Sequence, residues 1–357
     1  MRPRKFSLLL TATAFVAGVG MTWPASSPAM ARIELGWLLF FDPLLSGSGD
    51  LSCAHCHHPD LGFADGRQRA MGQGGEGFGP ARHGGVVLRR HAPSLWNVGA
   101  SQTLFWDGRA PSLEAQAREV LAHPEEMASD PGRLIARLTA IPEYRDRFAR
   151  AFPGSPAETA VSLTNLVAAL AGFQRSLTAD DSLFDRYLDG EIEALSASAR
   201  RGWKLFQSPM TRCSECHVPP SFRVSEFKVT GLPDPPGRAF DPGRGALLDH
   251  PFYRGAFKVP GLRNVALTGP YMHDGSLATL EDVIDFYASG RGRERLAEGL
   301  FVDDFIRPFE INEDDRTDLV NFLRSLTDES RRPQIPFRVP SGLPVVAPLT
   351  RTSDRLP

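Results

Sequence analysis

Cys53-Ala54-His55-Cys56-His57 and Cys213-Ser214-Glu215-Cys216-His217 decide how this chain is read. Each stretch is C-x-x-C-H, and together they use all 4 cysteines of the 357 residues. Two disulfides, or zinc held by the cysteine pairs, would be the competing uses of such residues. The histidine directly after each pair argues for another one, because C-x-x-C-H is the attachment signature of a c-type haem. The spacing suits that chemistry: the two thiols can add to the two vinyl groups of one porphyrin. The adjacent histidine then lies beneath the ring as the proximal iron ligand. Cys53, Cys56, Cys213 and Cys216 are therefore expected to anchor two covalently bound haem c groups, with His57 and His217 as proximal ligands. The sixth position on each iron then decides between electron transfer and activation of a small oxidant.

Working outward, one motif falls in each half. An apolar, helix-like run over 35–41 leads into the first. A stretch over 72–85, too rich in glycine for a regular element, follows it. Helical patterns cover 113–121 and 131–152. The amphipathic segment 159–177 places Leu163, Leu166, Ala169, Leu170 and Phe173 on one face. Residues 180–190 read as the crossing between halves. The second half repeats the plan: a helix over 196–206, the motif, a Pro/Gly-rich stretch over 219–255, then helices near 279–287 and 314–326. The expected fold is mainly α: two cytochrome c-like domains, 32–185 and 186–330, each with one haem and long irregular loops. Residues 331–357 read as a Pro-rich extended tail over the surface.

Composition sets the compartment and excludes some partners. With 40 Lys+Arg against 42 Asp+Glu, the net charge of -2 gives no basic excess for nucleic acid. Residues 1–31 read as a secretory signal, with Arg2, Arg4 and Lys5 ahead of an apolar stretch and Ala29-Met30-Ala31 at the cleavage positions. The mature chain is expected to begin near Arg32, to reach the periplasm and to carry no membrane span.

Beyond the haem motifs, several stretches resemble the bacterial di-haem cytochrome c peroxidases and their MauG-like relatives. Leu35-Gly36, Leu39-Phe40-Phe41-Asp42-Pro43 and Leu45-Ser46-Gly47 look like the start of that family. Phe105-Trp106-Asp107-Gly108-Arg109, Gln116 and Glu126-Met127 fit the family too. So do Phe257-Lys258-Val259-Pro260, Leu262-Arg263-Asn264-Val265 and Gly269-Pro270-Tyr271-Met272-His273-Asp274-Gly275. The resemblance covers nearly all of residues 33–328. It implies that the N-terminal haem reacts with hydrogen peroxide and that the C-terminal haem passes or stores electrons.

Residue roles follow from the resemblance. Trp106 is implied to lie between the haems as an electronic bridge. Glu126 is implied to be the acid/base that moves a proton between the peroxide oxygens, and Gln116 to orient the peroxide. Glu125 is the neighbour most easily confused with Glu126. The sixth ligand of the second haem is methionine in the peroxidases proper. Here the matching residue is Tyr287, as in the MauG-like branch, and a phenolate favours oxidised iron. Met272 is the rival. His83, in the Gly-rich stretch, is a candidate distal ligand of the first haem. Calcium is expected from backbone carbonyls of Thr268 and Pro270, but the family's asparagine is replaced by His91, a poorer calcium donor. A family proline over the distal pocket is replaced by Val120.

Three functions stay open on the sequence. The first is a MauG-like enzyme that stores oxidising equivalents over two haems and oxidises a partner, such as aromatic side chains of a protein. The second is a conventional peroxidase fed by a small cytochrome or cupredoxin. The third is a non-enzymatic electron carrier. A homodimer is expected by analogy with related peroxidases.

Overall fold

The computed structural model describes residues 27–349. Most of the expected signal segment, 1–26, and the last part of the tail, 350–357, lie outside the described residues. Ala29, Met30 and Ala31 fall in the first turn of the first helix.

The chain is mainly helical. Helix α1 (Pro28–Phe41) leads to α2 (Cys53–Cys56), the single turn that carries the first haem motif. Next come α3 (Leu113–Ala122), α4 (Pro131–Ala140), α5 (Pro142–Ala151) and α6 (Leu163–Ser176). Helix α7 (Leu183–Leu188) occupies the expected crossing, and α8 (Ala197–Phe206) precedes the second motif. Helices α9 (Leu280–Ser289) and α10 (Glu313–Arg324) follow. Strands β1 (Phe227–Lys228) and β2 (Phe257–Lys258) form one short antiparallel pair. Polar side chains set the helix starts: Ser112, Ser162, Ser196, Thr279 and Asn312 each accept a bond from an otherwise unpaired N–H of the first turn.

The single helical run expected over 131–152 is two helices. Pro142 has no N–H to donate and forces the preceding residue out of the helical region. The chain accordingly turns at Ile141 (φ -92, ψ 113) and restarts with Pro142 in the first turn of α5.

Each haem motif is seated by the same packing device. Gly36 of α1 lies so close to α6 that a Cβ there would overlap the Ala169 carbonyl and sit 2.9 Å from Phe173 Cβ. Gly202 of α8 stands in the same relation to α10: a Cβ would overlap the Asp318 carbonyl and lie 2.8 Å from Phe322 Cβ. Backbones can approach this closely only where no side chain intervenes. Around each crossing sits a trio of buried phenylalanines. In the first half Phe40 meets Phe173 at 5.1 Å and Phe63 at 6.2 Å between ring centroids. In the second, Phe206 meets Phe322 at 5.0 Å and Phe222 at 5.9 Å.

The hydrophobic interior divides accordingly. One cluster spans Leu35 to Ala179, and another runs from Phe184 to Leu326. The tail, without helix or strand over 331–349, is anchored to the first half. Val339 and Val346 are buried in the first cluster, and Arg332 pairs with Asp60. Ser341 Oγ donates to Asp42 at 2.7 Å, and the Leu349 N–H donates to Asp60 at 2.9 Å. The apolar valines among the prolines are what hold this segment down, burying surface that the first half alone would leave exposed.

Candidate active site

A single cavity of about 690 Å³ is lined by both C-x-x-C-H motifs. None of the four cysteines is in a disulfide, so all four thiols are free. Burial pushes the Cys53 and Cys56 thiols up to about 12, and Cys213 and Cys216 up to about 11. At those values the thiols are neutral. Among the described residues no group of three or more His, Cys, Asp or Glu side chains is placed to hold a metal ion.

Both proximal candidates are set for iron. His57 Nδ1 is 2.9 Å from the Phe63 carbonyl, and His217 Nδ1 is 3.0 Å from the Phe222 carbonyl. That bond fixes the tautomer with Nδ1 protonated and leaves Nε2 as the free donor atom, the usual second partner of a metal-binding histidine. Phe63 (φ 59) and Phe222 (φ 54) both adopt the left-handed conformation that aims their carbonyls at the rings. Burial lowers His57 to about 4 and also lowers His217, which keeps both rings neutral and able to ligate.

The cavity also suits the carboxylates that a haem carries. Arg223 donates only to Ser101 Oγ (2.6 Å) and the Asn97 carbonyl (2.9 Å). The Lys258 ammonium donates to the Thr103 carbonyl, at 3.0 Å. Both line the cavity, and among the described residues neither side chain has a carboxylate partner. Burial and the neighbouring Arg223 bring Lys258 down to about 8. Two buried like charges are costly unless an anion joins them. The residues present therefore fit two haem groups.

Trp106 is held from both halves. Its indole N–H donates to the His91 carbonyl at 2.9 Å, and its own carbonyl accepts from the Lys258 N–H at 2.8 Å. The tight loop Leu104–Ala110 around it is closed by a backbone bridge and by Asp107, which accepts from Arg90 at 2.7 Å and from Arg109 at 3.0 Å. Gly108 (φ 70) lies against the Phe227 ring, so no side chain fits there. Trp106 faces the same cavity as both motifs.

Gln116 and Glu126 reach the cavity from one helix and the loop after it. Leu113, Gln116, Ala117, Val120 and Leu121 form the cavity stripe of α3, at the three-to-four-residue spacing of one helix face. The loop beyond is pinned from behind. Gln73 Nε2 donates to the Glu126 carbonyl at 2.9 Å, the Gln73 N–H donates to the Glu125 carbonyl at 3.1 Å, and the Gly47 N–H donates to the Met127 carbonyl at 2.8 Å. A Cβ on Gly72 would overlap the Glu125 carbonyl, so glycine is required there. Glu126 points inward near Cys56, and burial raises its carboxyl above the ordinary range. Glu125 is exposed.

Tyr287 belongs to the second motif's side. Leu280, Val283, Ile284 and Tyr287 form the cavity stripe of α9. Gly290, in the left-handed conformation (φ 63), ends that helix. The Tyr287 phenol lies near Cys213 and Cys216, and burial pushes it well above its ordinary value. Met272 also lines the cavity. It sits in the segment that packs against the first half, where the His91 N–H donates to the His273 carbonyl at 2.8 Å and Gly275 abuts the Gln68 backbone.

Two sequence expectations are corrected. His83 is exposed and does not line the cavity. Its backbone pairs with Glu76 in both directions, at 2.9 and 3.0 Å. The neighbouring Arg82 points inward instead, donating to Met71, Gly72 and Gly77 carbonyls. Alternation along an extended segment therefore sends His83 out to solvent. Calcium does not fit at Thr268 and Pro270. The His91 ring occupies that place, with Nδ1 2.7 Å from the Arg67 carbonyl and a second bond to the Thr268 backbone. Calcium needs six to eight oxygens, and here a nitrogen donor has taken the Thr268 carbonyl.

Comparison with known proteins follows this geometry. The family described as di-haem cytochrome c peroxidase matches residues 30–193. A methylamine utilization protein MauG of Methylorubrum extorquens is 40% identical over 308 residues, covering 85% of this chain and 81% of the relative. A cytochrome c551 peroxidase of Pseudomonas aeruginosa is 34% identical over 310 residues, with 85% and 81% covered. The crystal structure of a MauG-like protein associated with microbial copper homeostasis superposes with a TM-score of 0.75 at 31% identity, covering 91% of this chain and 100% of the other. The chain belongs to the di-haem cytochrome c peroxidase family and is a peroxidase-type oxidoreductase. Both the MauG and the peroxidase names occur among its relatives.

Proposed function

We propose that the chain is a MauG-like enzyme: it accepts hydrogen peroxide near the first motif and uses the two oxidising equivalents on a protein partner. Two haem c groups would be held by thioethers at Cys53/Cys56 and Cys213/Cys216, with His57 and His217 as proximal ligands, one in each cytochrome c-like half. When bound, they supply the iron at which peroxide is reduced and the capacity to hold two oxidising equivalents.

The chain's own residues do the rest. Glu126, partly buried with a raised carboxyl, takes the proton from the peroxide oxygen nearer the iron and returns it to the departing oxygen, which leaves as water. Gln116 makes no side-chain hydrogen bond to the described protein, so its amide is free to hold the peroxide. Trp106, bonded to both halves, bridges the two sites. Tyr287 would serve as the sixth ligand of the second haem. Among the described residues no helix is long and apolar enough to cross a membrane. We take the chain to act in the periplasm after loss of its signal segment.

The observation that carries this reading is the single cavity in which Glu126 lies near Cys56 and Tyr287 near Cys213 and Cys216. The partner is a protein whose oxidisable groups, such as aromatic side chains, dock outside the cavity. Stopped-flow absorption of protein loaded with both haems tests the reading. One equivalent of peroxide changes the spectrum, and Glu126→Gln slows that change by about 10²–10⁴. No spectral response in the parent protein would overturn it. The 33–34% identity to named cytochrome c peroxidases keeps a second reading alive, steady-state peroxide reduction with electrons from a small donor. Fast turnover with a reduced small cytochrome would select it.

A further inference from the structure

Reducing hydrogen peroxide to two waters takes two electrons and two protons, and the proton that Glu126 shuttles between the peroxide oxygens supplies neither, so two protons must enter the site from water in each turnover. The histidine beside Glu126 is placed to pass them in. His123 is the C-cap of α3, one helical turn beyond Val120 on the cavity stripe, and it lines the cavity beside Glu126. Its Nδ1 lies 3.9 Å from Glu126 Oε1. The two side chains differ in exposure in the order a relay needs, 37% for His123 against 22% for Glu126. The backbone fixes the pair, since the N–H groups of Glu126 (3.1 Å) and Ala128 (2.9 Å) both donate to the His123 carbonyl.

We infer that His123 is the proton-entry residue of this site, passing protons from solvent to Glu126. The inference rests on the acid/base role proposed for Glu126. The imidazolium Nδ1–H gives its proton to the Glu126 carboxylate, and the neutral ring takes a new proton from bulk water. The gap exceeds a direct hydrogen bond, and one water or a small ring rotation spans it. An imidazole carries two ring nitrogens, so it can take up a proton at one and give one from the other.

The other charges facing Glu126 are Arg109, Glu119 and Glu125. Arg109 is tied to Glu119 through its Nε at 2.5 Å and to Asp107. An arginine does not release protons in this range. In the neutral ring Nδ1 accepts from the Glu125 N–H at 3.3 Å. His123 acts through Glu126 and is a positioning residue for its proton, not a group that touches peroxide.

The test uses the protein carrying both haems. His123→Asn keeps the size and removes the titration, with His123→Gln as a second variant if the first loses haem. At pH 7.5 steady-state reduction of peroxide by a small-molecule electron donor falls roughly tenfold, less than the loss of the acid itself because water still reaches the site. The slowed step gains a solvent deuterium isotope effect. The infrared band of Glu126, identified as the one absent in Glu126→Gln, titrates at higher pH once the neighbouring cation is gone. An unchanged rate, or an unchanged Glu126 midpoint, overturns the inference. If Glu126→Gln itself reacts at the parent rate, the acid/base reading fails instead.

Discussion

Replacing Gly202 by alanine should destabilise the protein, although alanine is the better helix former. Inside a helix the exchange ordinarily gains about 1 kcal/mol. Here the added Cβ would overlap the Asp318 carbonyl of α10 and stand 2.8 Å from Phe322 Cβ. Carbon atoms pack at about 3.5–4.0 Å. Helices α8 and α10 would therefore have to part by about 1 Å, and the obstacle is backbone that cannot swing aside. Overpacking of this kind costs about 1–3 kcal/mol, and more where backbone must move. The net expectation is a loss of about 2 kcal/mol, or a fall of about 5 °C in the thermal midpoint for a unit of this size. Because Phe206, Phe222 and Phe322 meet at this crossing, the haem at His217 should be the one whose spectrum broadens. Gly172→Ala is the control. A Cβ there meets only the Arg32 side chain, at 3.6 Å from Cγ and 3.8 Å from Cδ, ordinary contacts. That variant should be stabilised by up to about 1 kcal/mol. Far-ultraviolet circular dichroism through a thermal ramp reads both. A Gly202→Ala midpoint that rises alongside that of Gly172→Ala would refute the close-crossing argument.

Three further outcomes are expected. Tyr287→Phe removes an anionic oxygen donor, so the reduction potential of the second haem should rise in spectroelectrochemical titration, whereas an unmoved potential would show that Tyr287 does not ligate. Trp106→Phe should leave the first response to peroxide intact but delay the response of the second haem by about tenfold or more in stopped-flow absorption, and synchronous changes at both haems would count against the bridge. Asp65 is 1% exposed, its Oδ2 has no partner, and burial pushes its carboxyl up to about 7. The folded value lies above the ordinary one, so its favourable contribution is full below about pH 4 and is lost as the pH rises through about 7. Asp65→Asn should therefore be more stable than the parent at pH 8, by on the order of 2–4 kcal/mol, and should flatten the pH dependence of urea midpoints between pH 4 and 8. An equal loss of stability at both ends would contradict this.

The sequence signalled the chemistry more plainly than the packing. The two C-x-x-C-H motifs, Trp106, Gln116, Glu126 and Tyr287 are scattered over the chain, yet all face one cavity. Spacing alone marks the two C-x-x-C-H motifs, whereas Trp106, Gln116, Glu126 and Tyr287 stand out only through the family resemblance of the stretches around them. What escaped was set by contacts far apart in sequence. Gly36-Trp37-Leu38-Leu39-Phe40 recurs as Gly202-Trp203-Lys204-Leu205-Phe206. That repeat could have revealed the paired helix crossings, but its meaning depends on α6 and α10, which lie far downstream. The burial of Val339 and Val346 is a similar case, since prolines make the segment look like a solvated tail until the surface it covers is known. For His83 and His91 the resemblance supplies a position but not what the side chain faces. Strand alternation turned the first outward, and the second bonds the Thr268 backbone in place of an ion. His123 went unremarked because nothing local distinguishes a helix-capping histidine from one that faces a buried acid.

The central claim is that two covalently held haems share one cavity but differ in their sixth position. Electron paramagnetic resonance of the oxidised resting protein, at two haems per chain by mass, tests it most directly. The account predicts two unlike signals: a high-spin ferric centre open beside Glu126, and a low-spin centre that Tyr287→Phe alters. Two indistinguishable low-spin signals, both unmoved by Tyr287→Phe, would contradict it.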